Sequence, residues 1–447
     1  MRNIQSLSFP MHAASAQSRA GGQTTIGPDT IHRVRTANDI TILVRPNPSA
    51  PVAMLEGCLR AGSVDESAEQ AGLASFTASL LSRGSANYDF DRYNEAVESV
   101  GASVSVGGGT HISSFGSESL VEDFPLMVEI LADTLQRPTF PPEHIERVRG
   151  QWLVRLQERE QSTRSVSYRR FNELIFGNHP YGLPTSGYIE TIQEISRDDV
   201  VAFHQNHYRP NQAIIVVSGD VDPEAVVALL ESHFGSWRPG AEPLPPADTI
   251  PPVAGANGIQ RKSFDMPGKV QSDVVIGCLA IARTHPDYYA VQVANNILGQ
   301  FGMMGRLGET VRERQGLAYY SYSALDTDIG IGPWVAFAGV NPQNVNQAAD
   351  SILHEFERLG NEPVSDEELS DSIANMTGTL PLRLETNDGV ASILLSMEWF
   401  GLGLDYLQTY QERIRAITKE DVQRVAANYL RTDSYTQVTA GPETNGS

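Results

Sequence analysis

Cysteine is nearly absent: the chain has two in 447 residues, Cys58 and Cys278, each inside an apolar run (MLEGCL and VVIGCL). That excludes a disulfide framework and a cysteine-built metal site, and both read as small core residues. No apolar run approaches the ~20 residues that cross a bilayer as a helix. The opening MRNIQSLSFPMHAASAQS lacks the apolar segment of an intact secretory signal. A complete chain would therefore be cytoplasmic, and a mature form already stripped of its signal would be periplasmic. Basic charge is scarce as well: 33 Lys and Arg stand against 54 Asp and Glu, a net charge of -21. A nucleic-acid binder would show the opposite balance and is excluded. The acidic surface either draws in basic peptides or simply keeps the protein soluble. Ten histidines are scattered without a metal-binding pattern. His204 and His207 (FHQNHY) share helical spacing, but no acidic third ligand accompanies them, so both are expected on a helix surface. His111 and His179 are read as lone structural residues.

What the chain has is a repeat. Cores rarely grow past ~250 residues, so this length already implies more than one domain. ISRDDVVAFHQNHYRPNQAIIVVSGD from Ile195 and ITKEDVQRVAANYLRTDSYTQVTAGP from Ile417 align without gaps at an offset of 222. Asp199 meets Asp421, Val200 meets Val422, Asn206 meets Asn428, Arg209 meets Arg431 and Gly219 meets Gly441. In both copies a Ser or Thr caps a helix and a β-rich strand follows. Cys58 and Cys278 stand 220 apart in similar early strands. The chain is read as two copies of one α+β domain. An N-terminal extension (1–27) precedes the first copy (28–237), and a linker (238–258), rich in Pro, Gly and Ala, joins it to the second (259–447). Two such domains could close like a clamshell.

In the first copy, strands are expected over 39–45 and 52–61. The segment AEQAGLASFTASLLSRGS should form a helix with Leu73, Phe76, Leu80 and Leu81 on one face. Further helices are expected over 91–100, 123–136 and 142–159. Between them GASVSVGGGTHISSFGSESL reads as a strand pair interrupted at Gly107, Gly108 and Gly109. Glycines there mark either a close backbone approach, with an edge strand open to an extended peptide, or a flexible hairpin loop.

In the second copy, RLGETVRERQGLAYYSYS (306–323) reads as a helix, a Gln315-Gly316 break and an aromatic strand. Arg312 falls in the last helical turn and Tyr319 near the strand start. A guanidinium and a phenol so placed could together hold a peptide carbonyl or the oxyanion it becomes. Equally, Arg312 could cap the helix and Tyr319 could be a half-buried strand aromatic.

Over nearly its whole length the chain resembles the pitrilysin-like M16 family of zinc peptidases, in particular short bacterial M16B members and mitochondrial processing peptidase subunits. The two-copy layout, FGNHPYG, NHYRPNQAIIVVSGDVD, FGSW and VRERQGLAYYSYS carry the likeness. The resemblance implies an α+β fold of two homologous domains, each a mainly antiparallel sheet packed with helices, arranged as a clamshell. It also implies an inverted zinc motif, His-x-x-Glu-His, with a distal Glu. The family's motif helix matches GLASFTASL, so the two His positions are Ser75 and Ser79, the general-base position is Ala78, and the distal Glu position falls at or beside Arg155, in QWLVRLQ. By this resemblance the chain carries no metal or cofactor of its own. Arg312 and Tyr319, in contrast, match a pair that one subunit of dimeric members supplies to the partner's zinc site.

The expected function is therefore that of a non-catalytic subunit of a heterodimeric M16 zinc metallopeptidase, inactive alone. Arg312, Tyr319 and the glycine run 107–109 would bind the peptide substrate, and the catalytic partner would carry His-x-x-Glu-His and zinc. A second expectation, of another class, is an M16-like structural or peptide-binding scaffold without proteolysis. A hydrolase using Ser75 or Ser79 as nucleophile has little basis, since no base is paired with either.

Overall fold

A computed structural model describes residues 26–239, 252–253 and 258–443. Most of the linker 238–258 and of the extension 1–27 lies outside the described residues. The first half contributes β1 (His32–Arg35), β2 (Thr41–Pro46), β3 (Val52–Leu59), β4 (Ser103–Gly108), β5 (Ser113–Leu120) and β6 (Ile214–Gly219). Its helices are α1 (Leu73–Leu80), α2 (Phe90–Glu98), α3 (Phe124–Gln136), α4 (Pro142–Glu160), α5 (Thr163–Phe176), α6 (Ile189–Glu194), α7 (Arg197–His207) and α8 (Pro223–Phe234). The second half contributes β7 (Gln260–Asp265), β8 (Ser272–Leu279), β9 (Ala318–Leu325), β10 (Pro333–Val340) and β11 (Thr436–Gly441). With them come α9 (Tyr288–Asn295), α10 (Val345–Asn361), α11 (Asp366–Arg383), α12 (Asn387–Trp399), α13 (Tyr406–Arg415) and α14 (Lys419–Tyr429). No helix among the described residues is long and apolar enough to cross a membrane.

The repeat in sequence is a repeat in topology. The first sheet runs β1-β2-β6-β3-β5-β4 and the second β7-β11-β8-β10-β9. Removing β1, which the sequence had not suggested, leaves the same order and the same single parallel pair in each, β2 with β6 and β7 with β11. The caps repeat too. Ser196 Oγ accepts the Asp199 N–H at 3.1 Å on α7, and Thr418 Oγ1 accepts the Asp421 N–H at 3.2 Å on α14. Cys58 and Cys278 are buried free thiols, as expected, and burial pushes them up to about 12 and about 11.

Each sheet has two faces to cover, and its own half covers one. Leu73, Phe76 and Leu80 of α1 pack with Val128 and Leu131 of α3, Val200 of α7 and Leu230 of α8 over Leu55 and Val217. In the second half Val291, Ile352, Phe356, Val422 and Val425 do the same over Ile276, Trp334 and Ala336. The remaining faces are covered by exchange. Val390, Ile393, Leu394 and Met397 of α12, a second-half helix, are buried on Leu43, Cys58, Ile214 and Val216 of the first sheet. Phe171, Ile175 and Phe176 of α5, a first-half helix, are buried on Val275, Val335, Phe337 and Val438 of the second. The two halves meet like the shells of a clam, fastened on both sides by a borrowed helix.

Polar contacts frame the borrowed helices. Arg33 grips Glu398 through two hydrogen bonds of 3.0 and 2.7 Å, and Ser392 Oγ donates to both oxygens of Glu56 at 3.0 and 2.9 Å. Gly277 sets the fit on the other side: a Cβ there would lie 3.0 Å from the Phe171 ring and 2.5 Å from the Trp334 carbonyl. Truncating either anchor removes contacts that only the other half can make. Leu394→Ala should cost about 2–5 kcal/mol and Phe171→Ala about 3–5 kcal/mol, each lowering the urea midpoint of the whole chain. If either substitution melted one half and left the other at its original midpoint, the halves would not depend on the exchange.

Candidate functional site

Helix α1 begins at Gly72, whose φ of +98° suits glycine. Its first amides are satisfied from a distance: the Glu66 carboxylate accepts the N–H groups of Gly72 and Ala74, each at 2.8 Å. The helix is almost wholly buried, and strand β4, at the far edge of the first sheet, lies directly against it. A Cβ on Gly108 would stand 2.6 Å from the Ser75 Cα, so the contact requires glycine. The glycine run thus resolves into two parts. Gly107 and Gly108 are paired strand residues opposite Ser114 and Ser113, and Gly109 starts the turn, its N–H bonded to the Ile112 carbonyl at 2.8 Å.

The hydroxyls on this helix are already engaged. Ser75 Oγ donates to the Gly108 carbonyl at 3.3 Å, and Ser79 Oγ donates to the Phe76 carbonyl at 2.6 Å. Ala78 is buried and offers no donor. On α4, the exposed Arg155 lies over the Trp152 ring at 4.8 Å, and that ring meets Phe76 edge-on at 5.9 Å. Arg83, just beyond α1, is held below the usual guanidinium range, first by burial and further by the positive charges of Arg147 and Arg155. This corner of the molecule repels cations.

At the opposite end of the chain, Arg312 and Tyr319 sit where the spacing placed them, on less ordinary backbone. Gly308–Arg314 is a π-helical turn, not an α-helix. Two ties fix it: Arg306 grips Glu368 at 2.6 and 3.2 Å, and Thr310 Oγ1 donates to the buried Glu355 at 3.0 Å. Gly316, at φ +62°, reverses the chain. Strand β9 is the free edge of the second sheet, and its register against β10 slips between Gly339 and Val340. Tyr320 pairs with Gly339 and Ala318 with Val340, which leaves Tyr319 as the extra residue of a β-bulge. The Tyr319 side chain is 64% exposed. Arg312 has only an ion pair of 3.6 Å with its neighbour Glu313. Tyr319 is not the half-buried strand aromatic that the sequence also allowed, whereas Arg312 does stand in the last turn of its helix.

The histidines depart from expectation. His204 is half-buried and engaged: its Nε2 lies 2.8 Å from the Leu135 carbonyl and its ring stacks on Tyr208 at 4.9 Å. His207 likewise stacks on Phe203 at 4.6 Å, and burial lowers the basicity of both. His111 and His179 are not lone. Both pack on Tyr181, with His111 Nε2 at 2.7 Å from the Tyr181 hydroxyl. Seventy residues separate His111 from Tyr181, and no local pattern joins them. Among the described residues no three His, Cys, Asp or Glu side chains gather closely enough to hold a metal ion.

Two family models match the chain: Insulinase (Peptidase family M16) over residues 41–187 and Peptidase M16 inactive domain over residues 194–376. The chain belongs to the M16 family of peptidases. Among its relatives are proteins named as an uncharacterized zinc protease of Streptomyces coelicolor and mitochondrial-processing peptidase subunit beta of Lentinula edodes. The first is 25% identical over 422 residues, covering 93% of this chain and 90% of the relative. The second is 24% identical over 423 residues, covering 91% and 89%. The fold is shared with an M16 inactive domain of Pseudomonas fluorescens at a TM-score of 0.85 and 24% identity, over 93% of this chain and 98% of that one. It is shared equally with a protease of Helicobacter pylori at 0.84 and 21%, over 92% and 99%. The zinc those M16 names imply does not suit the residues at the motif positions of this chain. Two serine hydroxyls committed to backbone carbonyls, a methyl group and a guanidinium are not a zinc donor set.

Glu66, which holds the start of this helix, yields a testable pH effect. Burial pushes its carboxyl up to about 7, against the opposing pull of the two amides. The folded chain therefore keeps a proton that the unfolded chain releases near pH ~4.3. Stability from this group is full below that value, falls as pH rises to about 7 and is flat above, a change of about 4 kcal/mol at most. The difference in urea stability between the parent chain and Glu66→Gln should follow that curve. A difference that grew with pH would mean the helix amides hold Glu66 ionised.

Proposed function

We propose that this chain is the non-catalytic subunit of a heterodimeric M16 zinc peptidase. It binds a catalytic subunit that carries His-x-x-Glu-His, closes half of a peptide-degrading chamber, and supplies Arg312 and Tyr319 to hold the substrate at the partner's zinc site. The observation that carries this reading is the contrast between two ends of one chain. Helix α1 has no zinc donors and is packed shut against β4, whereas Tyr319 is exposed and the half-buried Arg312 keeps a solvent-accessible side chain, on backbone tied down by Arg306–Glu368 and Thr310–Glu355. A bulge that turns one tyrosine outward at a sheet edge is the kind of irregularity found beside active sites.

Chemically, the partner contributes the metal-activated water and its general base. Arg312 and Tyr319 donate hydrogen bonds to the scissile carbonyl, and those bonds strengthen as the oxygen gains negative charge. The guanidinium stays charged at any working pH, and the phenol can donate without a charge of its own. Met303 and Met304, 54% and 73% exposed, flank this segment, with Gly308 packed directly on Met303. Flexible thioethers suit a surface that accepts varied apolar side chains. The free edges of β9 and β4 suit an extended peptide, which pairs through its backbone with little regard for sequence; of the glycine run 107–109, Gly108 and Gly109 have their carbonyls committed to Ser75 and Ser63.

Mixing the chain with a His-x-x-Glu-His subunit from the same organism tests the role. The chain alone should be metal-free and inactive on an unfolded peptide, and the mixture should cleave it. Arg312→Ala should lower kcat of the mixture by about 100-fold and Tyr319→Phe by about 10- to 100-fold, with assembly on a sizing column unchanged. Unchanged turnover in both variants would remove the pair from the mechanism. Peptide binding without turnover in every partner combination would instead make the chain a scaffold.

A further inference from the structure

Between the two halves lies a cleft of about 600 Å³, within the size range of small-molecule sites. One wall is α5 of the first half, and the other is β9 with the loop 326–332 that leads to β10. The floor is apolar, with Phe176, Leu183 and Phe337. The rim is charged: Arg169 is neutralised by Glu160 and Glu173, and the charges outside such pairs are sorted by sign along the cleft. At one end Arg164 donates to the Tyr322 hydroxyl at 2.6 Å and lies over the Tyr320 and Tyr322 rings. Arg159, beside it, bonds only the Ser186 hydroxyl. Neither arginine is in an ion pair among the described residues. One turn further along α5, Tyr168 donates to Asp326 at 3.0 Å, and among the described residues no cation pairs with that carboxylate. Asp328 lies beyond it, 3.8 Å from His111.

The two tyrosine contacts act as rungs. Arg164 and Tyr168 are one helical turn apart, about 6 Å, whereas Tyr322 and Asp326 are four strand residues apart, about 13 Å. The positive and negative ends of the cleft are therefore separated by roughly 6–13 Å, and an extended chain of two or three residues spans up to about 10 Å. One further acceptor lacks a partner, on an amide whose N–H already bonds Tyr168. Asn172, a turn beyond Tyr168 on the same helix face, lines the cleft with its Oδ1 buried and without a hydrogen bond among the described residues. A buried amide oxygen in that state is an acceptor waiting for an N–H donor.

From this arrangement we propose that the cleft binds a peptide of two or three residues with both termini free. The carboxylate is received by Arg164 and Arg159, the ammonium by Asp326 and Asn172, and an apolar side chain by Phe176 and Phe337. Free-ended peptides of that length are the products of an endopeptidase acting repeatedly on one substrate, so the site would sense or retain product. That link to proteolysis rests on the proposed function; the binding itself requires no partner subunit and no metal.

Calorimetric titration of the isolated chain with the tripeptide Ala-Leu-Phe tests the proposal directly. Acetylating the N-terminus or amidating the C-terminus should each weaken binding about tenfold or more. Asp326→Asn keeps an acceptor for Tyr168 but removes the charge, and Arg164→Gln removes the cation; each should weaken the unblocked peptide to a similar degree, about tenfold. Equal binding of blocked and unblocked peptides, or no binding at millimolar peptide, would overturn the proposal whatever the chain does in a mixture. Because the blocked peptides are compared on the unaltered chain, the result stands even if a variant fails to fold.

Discussion

Each sheet in this protein has a face that its own half cannot cover. Valines, isoleucines and cysteine on the second face of the first sheet wait for α12, and those on the second sheet wait for α5. A half on its own would leave an apolar sheet face in water, far larger than a stable monomer tolerates. The exchange also sets where function can sit. It fixes the two sheets relative to one another, with β4 and β9 each at one edge of its sheet, and creates the cleft along α5 that neither half contains alone. A chain joined in this way is not free to hinge at its linker, since opening would strip two buried helices together.

Most of this architecture was legible in the sequence because it depends on local rules written twice. Ser196 and Thr418 with their Asp partners announce the same helix start, and the runs IIVVSG and TQVTAG announce the same strand. Strand β1 was not legible: HRVR is four exposed residues with no alternation, and it becomes a strand only because β2 offers an edge. The exchange of α5 and α12 was not legible either. Helical periodicity shows that a face is apolar, never which sheet will cover it.

The candidate site divides along the same line. The absence of zinc donors on α1 could be read from residue types alone, since no fold makes Ser, Ala and Arg into a zinc site. The order Arg312, Gly316, Tyr319 showed a helix, a reversal and a strand. It could not show that the helix is π-wound or that Tyr319 is bulged, because both follow from pairing with α10 and β10. Distance in sequence hid the rest. Arg164, Tyr168 and Asn172 form a polar stripe at i, i+4 and i+8 on a helix that otherwise reads as ordinary, and their partners Tyr322 and Asp326 lie 158 residues away.

Helix α1 shows why a chain without zinc is better served by these substitutions than by keeping the motif. The segment is buried, and β4 meets it at backbone distance through Gly108. Imidazoles and a carboxylate at 75, 78 and 79 would have to be pushed into that contact, and without a cation to ligate they would be buried polar groups in want of partners, at about 1–3 kcal/mol for each left unsatisfied. Ser75 and Ser79 are small enough to enter and find a carbonyl each, and Ala78 asks for nothing. Helix α1 thus becomes a tighter structural element. Polar groups remain exposed or unpaired elsewhere, among them Tyr319 on the β9 edge and Asn172 in the charged cleft along α5.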